Sequence, residues 1–421
     1  MITLLIIADD FTGALDTGVQ FAASGTATRV ITNMDYDYRQ AGEDVNVLVM
    51  DAETRHLDSG KAYEIVYNIT NEAVRYGIPY IYKKTDSALR GNIGSELTAV
   101  LDATGEKTLS FIPAFPKMGR ITKNGIHYID GIPVEKSAFG KDPYEPVTCS
   151  YVPDIIKLQS KAKVKLAAEE DSPFENQNDP GIIVWDAESD KQLKSLGERL
   201  YKGDKLHIMA GCAGFASVLP QLLGLEGNLP SIPSLNQRFF VVCGSVNPIT
   251  VSQMDYAENH NFYRIRMSTI EKLEEKYWQS DVGQKKLEYL KDLIETKSSS
   301  ILDSNDLPGS NSTKEYAARH NISSEQIRVC IAKNIGCFVK ELIRKGFKGT
   351  IMITGGDTLI GCMEQMEVYE MEPICEMAPG IVLSRFISQG TAYHVISKSG
   401  GFGGEKLLTE LAEQILTYKC N

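Results

Sequence analysis

The sequence predicts an α/β fold of two domains, each a largely parallel sheet flanked by helices. Short apolar runs alternate with amphipathic stretches throughout, which is the pattern of parallel sheets. A chain of 421 residues exceeds one ordinary core and divides by default into two. The segment Leu225–Gln237 (LEGNLPSIPSLNQ) carries two prolines and a glycine, and a new apolar run follows it directly. The boundary therefore falls there, giving a first domain over 1–230 and a second over 237–421.

In the first half, strands are expected at Thr3–Ala8, Val45–Met50, Pro79–Lys83, Thr108–Ile112, Ile182–Trp185 and Leu206–Ala210, with helical periodicity at Gly13–Ala23 and Lys61–Tyr76. In the second half, strands are expected at Phe239–Cys243, Phe262–Arg266, Thr350–Ile353 and as a pair near Glu372–Leu383. Long helices are expected at Ile270–Thr296 and Ser324–Lys345. Lys297–Thr313 is polar and reads as a surface excursion. Gly119–Val147 is rich in turn formers and reads as a long irregular loop, a kind that is often functional.

Composition narrows the function classes. Hydrophobic content of 43% and charged content of 24% are those of an ordinary globular protein. The formal net charge of −11 disfavours a sequence-independent grip on nucleic acid or on an anionic membrane, although a local basic pocket remains open. The eight cysteines include no Cys-x-x-Cys pair, and the six histidines are scattered, so neither zinc nor a disulfide framework is expected. No apolar run reaches the ~18–20 residues that span a bilayer. The opening MITLLIIADDF ends in aspartates and reads as a buried first strand, not a signal peptide. A cytoplasmic protein is the expectation.

The chemistry-bearing residues gather where apolar runs end. Asp9-Asp10-Phe11-Thr12-Gly13 closes the first strand, where open α/β sheets bind ligands. Two acids there suit a polyol or a base toward a hydroxyl, whereas a helix cap needs only one. Lys83-Lys84-Thr85-Asp86-Ser87-Ala88-Leu89-Arg90-Gly91-Asn92 ends another strand with charges suited to an anion; the plainer reading is a solvated turn in which Asp86 caps a helix near Asn92–Leu101. Pro113–Arg120, continuing through Asn124-Gly125 to Asp142-Pro143, brings Arg120 forward as a further anion contact.

Three small-residue loops follow strands of the second half: Cys243-Gly244-Ser245-Val246-Asn247, Thr354-Gly355-Gly356-Asp357-Thr358, and Lys398-Ser399-Gly400-Gly401-Phe402-Gly403-Gly404. Glycines at a strand-to-helix junction let backbone N–H groups approach a phosphate. None of the three has the P-loop or the dinucleotide spacing, and singly each is also a tight turn or a C-cap. Together they point to a nucleotide.

In this order the blocks ADDFTGA (8–14), KKTDSALRGN (83–92), PAFPKMGR (113–120), CGSVNPIT (243–250), ITGGDT (353–358) and SKSGGFGG (397–404) resemble the four-carbon acid sugar kinase family over essentially the whole chain. The resemblance implies ATP-dependent phosphorylation of a hydroxyl on threonate, erythronate or an oxo-tetronate, with Mg²⁺. It implies a sugar acid held in the first domain by Lys84, Asp86, Ser87, Arg90, Gly91 and Arg120, with Asp9 or Asp10 receiving the hydroxyl proton. It implies a nucleotide held in the second by Ser245, Gly355, Gly356, Asp357, Thr358, Gly400, Gly401 and Gly403. Its partners would be the sugar acid and ATP, with no nucleic acid and no membrane, and a homodimer is allowed. Two other readings stay open. One is a haloacid-dehalogenase-like phosphatase, whose paired aspartates have one residue between them while Asp9 and Asp10 are adjacent and diverge in extended chain. The other is a non-catalytic sugar-acid sensor, which leaves the glycine loops without a task.

Overall fold

The computed structural model describes residues 1–142, 145–167 and 181–417, so Pro143 of the Asp142-Pro143 element, and Cys420, lie outside the described residues. The chain folds as two units, Met1–Pro230 and Ser231–Asn421.

In the first unit the strands are β1 (Leu4–Ala8), β2 (Thr28–Ile31), β3 (Val47–Asp51), β4 (Tyr80–Lys84), β5 (Thr108–Ile112), β6 (Arg120–Lys123), β7 (Ile126–Ile129), β8 (Ile132–Pro133), β9 (Lys163–Ala167), β10 (Gly181–Trp185) and β11 (Ile208–Gly211). Eight of them form a sheet in the order β2-β3-β1-β4-β11-β5-β10-β9, with every pairing parallel. All five residues of β1 are buried, as a central parallel strand covered on both faces requires. The chain passes from β1 out to β2, comes back to β3 between them, and then crosses to β4 on the other side of β1. That reversal places a crevice beyond the carboxyl ends of β1 and β4, the position where such sheets take ligands.

The second unit contains β12 (Phe239–Cys243), β13 (Tyr263–Arg266), β14 (Ser299–Asp303), β15 (Thr350–Thr354), β16 (Glu370–Ala378), β17 (Ile381–Ser388) and β18 (Thr391–Lys398). Their order is β13-β14-β12-β15-β18-β17-β16. The pairings from β13 through to β18 are parallel, whereas β17 runs antiparallel to both β18 and β16. Here the reversal falls between β12 and β15.

Several expectations are corrected. The helix expected over Ile270–Thr296 is broken into Thr269–Leu273, a 3-10 turn at Tyr277–Gln279, and Asp281–Glu295. Trp278 is fully buried, its ring 4.9 Å from that of Phe338, and the backbone turns through a left-handed Lys276 (φ 60°) to place it there. Ser280 then restarts the helix by accepting from the N–H of Gly283. The polar run at Lys297–Thr313 is no mere excursion, because it contains the buried strand β14 between β13 and β12. Its two serines conceal a core strand. The pair near Glu372–Leu383 is a three-stranded meander, β16 to β18. The irregular loop at Gly119–Val147 holds the antiparallel sheet β6-β7-β8. Strands β2 and β9 were not anticipated; each is short and carries lysine or arginine within it.

Candidate functional site

Asp9 follows β1 and Asp10 begins the helix Phe11–Ala22. Asp10 is extended and caps that helix, accepting from the Gly13 N–H at 3.0 Å and from the Thr12 hydroxyl at 2.8 Å. The capping reading and the functional reading therefore coincide at this residue. Glycine at 13 leaves room for this pair: a Cβ would stand 2.4 Å from both Asp10 Oδ1 and Lys84 Nζ and would displace them.

The residue that joins these groups was not singled out from the sequence. Arg55, on the loop after β3, donates from Nε to Asp9 Oδ2 at 2.7 Å and from Nη1 to Asp10 Oδ2 at 2.9 Å. Its Nη2 lies 2.6 Å from Asp10 Oδ1 and 3.7 Å from Asp86 Oδ1. One guanidinium thus spans the three carboxylates of two expected motifs. The run Asp51–Arg55 also follows a strand end, so the rule that singled out Asp9 and Lys84 applied to β3 would have found it.

Lys84, at the end of β4, stands 3.5 Å from Asp9 Oδ1. Its neighbour Lys83 points to the opposite face, as strand alternation dictates, and is fully buried against Glu96 at 3.0 Å. Lys83 Nζ also donates to the carbonyls of Ile7 and Lys84, which ties the ends of β1 and β4 together.

Asp86 caps no helix. It accepts the Arg90 guanidinium through both oxygens, at 2.8 and 3.1 Å, and the N–H groups of Ala88 and Arg90. Arg90 further lies over the Phe139 ring and reaches Asp142 at 3.4 Å. Gly91, at φ 84°, lets the chain pass Arg55, whose Cγ would stand 3.1 Å from a Cβ. Ser87 is tied to the β6–β7 ribbon through His127. The His127 Nε2 is 2.9 Å from the Ser87 carbonyl, which can only accept, so Nε2 carries the proton and Nδ1 takes the Thr122 hydroxyl at 3.0 Å. Arg120 is buried and donates to the Met118 carbonyl.

The electrostatics follow from burial and pairing. Burial raises the proton affinity of Asp9, but Arg55, Lys84 and Lys83 outweigh it and hold the pKa at about 2. Asp86 is likewise raised by burial and brought well below the carboxylate range by Arg90 and Arg55. Asp51, deep at the end of β3, goes the other way: burial, then Glu53 and Asp10, push its carboxyl well up. His127 falls to about 4, chiefly through burial. Beside the network lies a cavity of about 330 Å³ lined by Arg55, His56, Arg90, Gly91, Asn92 and Glu145. The guanidinium groups of Arg55 and Arg90 on its walls suit a small oxygen-rich anion, while the Asn92 amide is committed to the Thr54 and Leu57 carbonyls.

In the second unit three strand ends converge. Gly244 and Ser245 follow β12, Gly355 follows β15, and Gly400 follows β18. A Cβ on Gly244 would lie 2.1 Å from Thr358 Oγ1; one on Gly400 would lie 2.7 Å from Ser245 Oγ. Gly355 takes φ +103°, with Ser245 3.5 Å from where its Cβ would be, and its N–H donates to the Lys398 carbonyl at 3.0 Å. The three loops thus pack with almost no side chain between them. Gly356 opens the helix Gly356–Gln365, whose first turn holds Asp357 and Thr358; Asp357 is paired with Arg328 at 2.5 Å. Gly401 and Gly403 continue the third loop, Gly403 at φ +83°. Asn305, after β14, donates to the Ser245 carbonyl at 3.1 Å and was missed because that strand was missed.

Two family domains match the chain. Residues 4–219 match the family domain described as sugar-binding N-terminal domain, and residues 240–408 match the nucleotide-binding C-terminal domain. The chain belongs to the four-carbon acid sugar kinase family. Among relatives of this family, a D-threonate kinase of Salmonella typhimurium is 27% identical over 99% of both chains. A D-erythronate kinase of Heliobacterium modesticaldum is 26% identical over 100% of this chain and 99% of its own. A 3-oxo-tetronate kinase of Burkholderia multivorans is 26% identical over 59% of this chain and 62% of its own. The fold of this family member also matches a crystal structure from Salmonella typhimurium LT2, with TM-score 0.79 at 18% identity over 98% of this chain and 100% of the other. No helix among the described residues is long and apolar enough to cross a membrane.

Proposed function

We propose that the protein transfers the γ-phosphoryl group of ATP to a hydroxyl of a four-carbon sugar acid of the threonate, erythronate or oxo-tetronate type. The observation that carries this reading is the pair of unlike sites at the two sheet reversals. One is an arginine–carboxylate network beside a small cavity, and the other is a side-chain-poor cradle of glycine loops.

Phosphoryl transfer needs positioning and charge neutralisation more than covalent chemistry by the protein. Arg55 and Arg90 offer guanidinium edges to the acid's carboxylate, and Lys84 and Asp86 bind its hydroxyls. Asp10 is the better placed of the two acids to orient the attacking hydroxyl and take its proton, because its side chain is 15% exposed against 3% for Asp9. In the second unit, N–H groups at Ser245, Gly356, Gly400, Gly401, Gly403 and Gly404 would hold the phosphates, while Gly355, whose N–H goes to the Lys398 carbonyl, shapes the turn between them.

Among the described residues no three His, Cys, Asp or Glu side chains converge in metal-binding geometry. That suits Mg²⁺ carried mainly by phosphate oxygens and water, with Asp357 the protein carboxylate beside the cradle. Bound there, the ion would neutralise charge on the β- and γ-phosphates. A cytoplasmic location fits an enzyme that uses ATP.

The test is ADP release from Mg²⁺-ATP across the stereoisomers of threonate, erythronate and 3-oxo-tetronate, with the product mass measured. At least one acid should yield ADP and gain one phosphoryl group. Phosphate released from a sugar-acid phosphate without ATP, and no ADP with any acid, would replace the kinase reading by a phosphatase.

A further inference from the structure

The loop after β18 has an unusual hydrogen-bond arrangement. Gln253, buried on the helix Pro248–Glu258, directs its side-chain amide at three consecutive carbonyls, those of Phe402, Gly403 and Gly404, at 3.0, 3.1 and 3.0 Å. Lys398, 1% exposed at the end of β18, donates from Nζ to the carbonyls of Ser399 and Gly400 at 3.0 and 3.2 Å and to the Thr250 hydroxyl at 3.1 Å. Thr250 in turn donates to the Gly400 carbonyl at 2.7 Å. Five of the six carbonyls from Ser399 to Gly404 are therefore taken from the protein side. No protein acceptor among the described residues takes the N–H groups of Gly400, Gly401, Gly403 or Gly404.

Carbonyls drawn inward leave the amide hydrogens turned outward, and a row of outward N–H groups is an anion-binding concavity. A lysine buried this deeply would ordinarily be costly. Burial lowers its pKa to about 8, so its retention as a donor to loop carbonyls calls for a functional reason.

We infer that Gln253 and Lys398 are positioning residues that hold the 399–404 loop with its N–H groups facing the nucleotide phosphates, while touching no phosphate themselves. This rests on the kinase reading and adds to it the groups that shape its phosphate loop. Gln253→Glu keeps the size of the side chain but replaces the donor with an oxygen facing three carbonyls. It should raise KM for ATP tenfold or more and leave KM for the sugar acid within twofold. Lys398→Met should do the same, Lys398→Arg should recover part of the loss, and the double variant should be little worse than either single one. A merely structural role would lower Tm and the active fraction without moving KM for ATP. That outcome overturns the inference.

Should the variants not fold, the wild-type protein still decides. Amide hydrogen exchange with and without Mg²⁺-ADP should show protection gained at 400–404. If Mg²⁺-ADP raises Tm yet leaves those amides unprotected, the positioning inference fails and nucleotide binding stands. If Mg²⁺-ADP and Mg²⁺-ATP leave both Tm and exchange unchanged, the kinase reading fails with it.

Discussion

Arg55 sets the chemistry of the first site at the scale of a single residue. Asp9, Asp10 and Asp86 share its guanidinium, and two of these carboxylates are almost wholly removed from water. Removing one partner of a buried pair leaves uncompensated charge, which costs on the order of 3–5 kcal/mol. Arg55→Ala should therefore lower the urea midpoint strongly as well as abolish turnover, and Arg55→Lys should restore neither, since an ammonium cannot form the fork. A midpoint unchanged by Arg55→Ala would show that the network contributes nothing to stability. The depressed pKa of Asp9 gives a pH prediction with a definite sign. Its stabilising effect is complete above the unfolded value of 3.8 and is lost as pH falls toward about 2. The effect amounts to about 2 kcal/mol, so Asp9→Asn should flatten the loss of stability between pH 4 and pH 2 by that amount. For Asp10, the less buried of the adjacent pair, Asp10→Asn should lower kcat by about 10²–10⁴-fold with a smaller change in KM. An unaffected kcat would move the proton acceptor elsewhere. That Asp9, Lys84 and Asp86 come together was legible in the sequence because each lies at or just past the end of one of two adjacent parallel strands. Arg55 was not singled out, since a lone arginine in ETRH carries no motif, although it follows a strand end as the others do; its place beside Asp9 and Asp10 comes from β3 lying next to β1.

Elements were legible in proportion to how plainly their burial shows in their composition. The strands β1, β5, β10 and β12 are mainly apolar and stand out, as does the YIY start of β4. The strand β14 is equally buried, yet its Ser299-Ser300 start makes it look like loop. The helix broken at Lys276 has amphipathic character on both sides of the break, so periodicity alone ran through it. Glycine requirements are the best test at this scale. Gly13→Ala drives a methyl group against the cap oxygen of Asp10 and the ammonium of Lys84, which belong to one network. It should lower stability by about 1–3 kcal/mol and raise KM for the sugar acid, measured by urea melts and by initial rates. His127 supplies an independent check on the β6–β7 ribbon. Its folded pKa of about 4 lies below the ordinary 6.5. Protons therefore favour the unfolded chain, and stability falls as pH drops from 6.5 toward 4. His127→Gln should remove that slope while keeping a donor for the Ser87 carbonyl.

For the whole molecule, the division of labour was readable from the order of motifs along the chain. Acidic and cationic clusters end the strands of the first unit, and glycine clusters end those of the second. Each set sits at the reversal of its own sheet, where β1 meets β4 and where β12 meets β15. The interior supports of these sites were not readable. Lys83, Gln253 and Lys398 act on backbone carbonyls, and such partners leave no pattern in a sequence. The most direct test of the account measures KM for both substrates on two variants of the full chain. Arg90→Ala should raise KM for the sugar acid at least tenfold and leave KM for ATP within about twofold, and Gly244→Ala, whose methyl would collide with Thr358, should do the reverse. If either variant, correctly folded, impaired both substrates equally, the assignment of one ligand to each unit would be wrong.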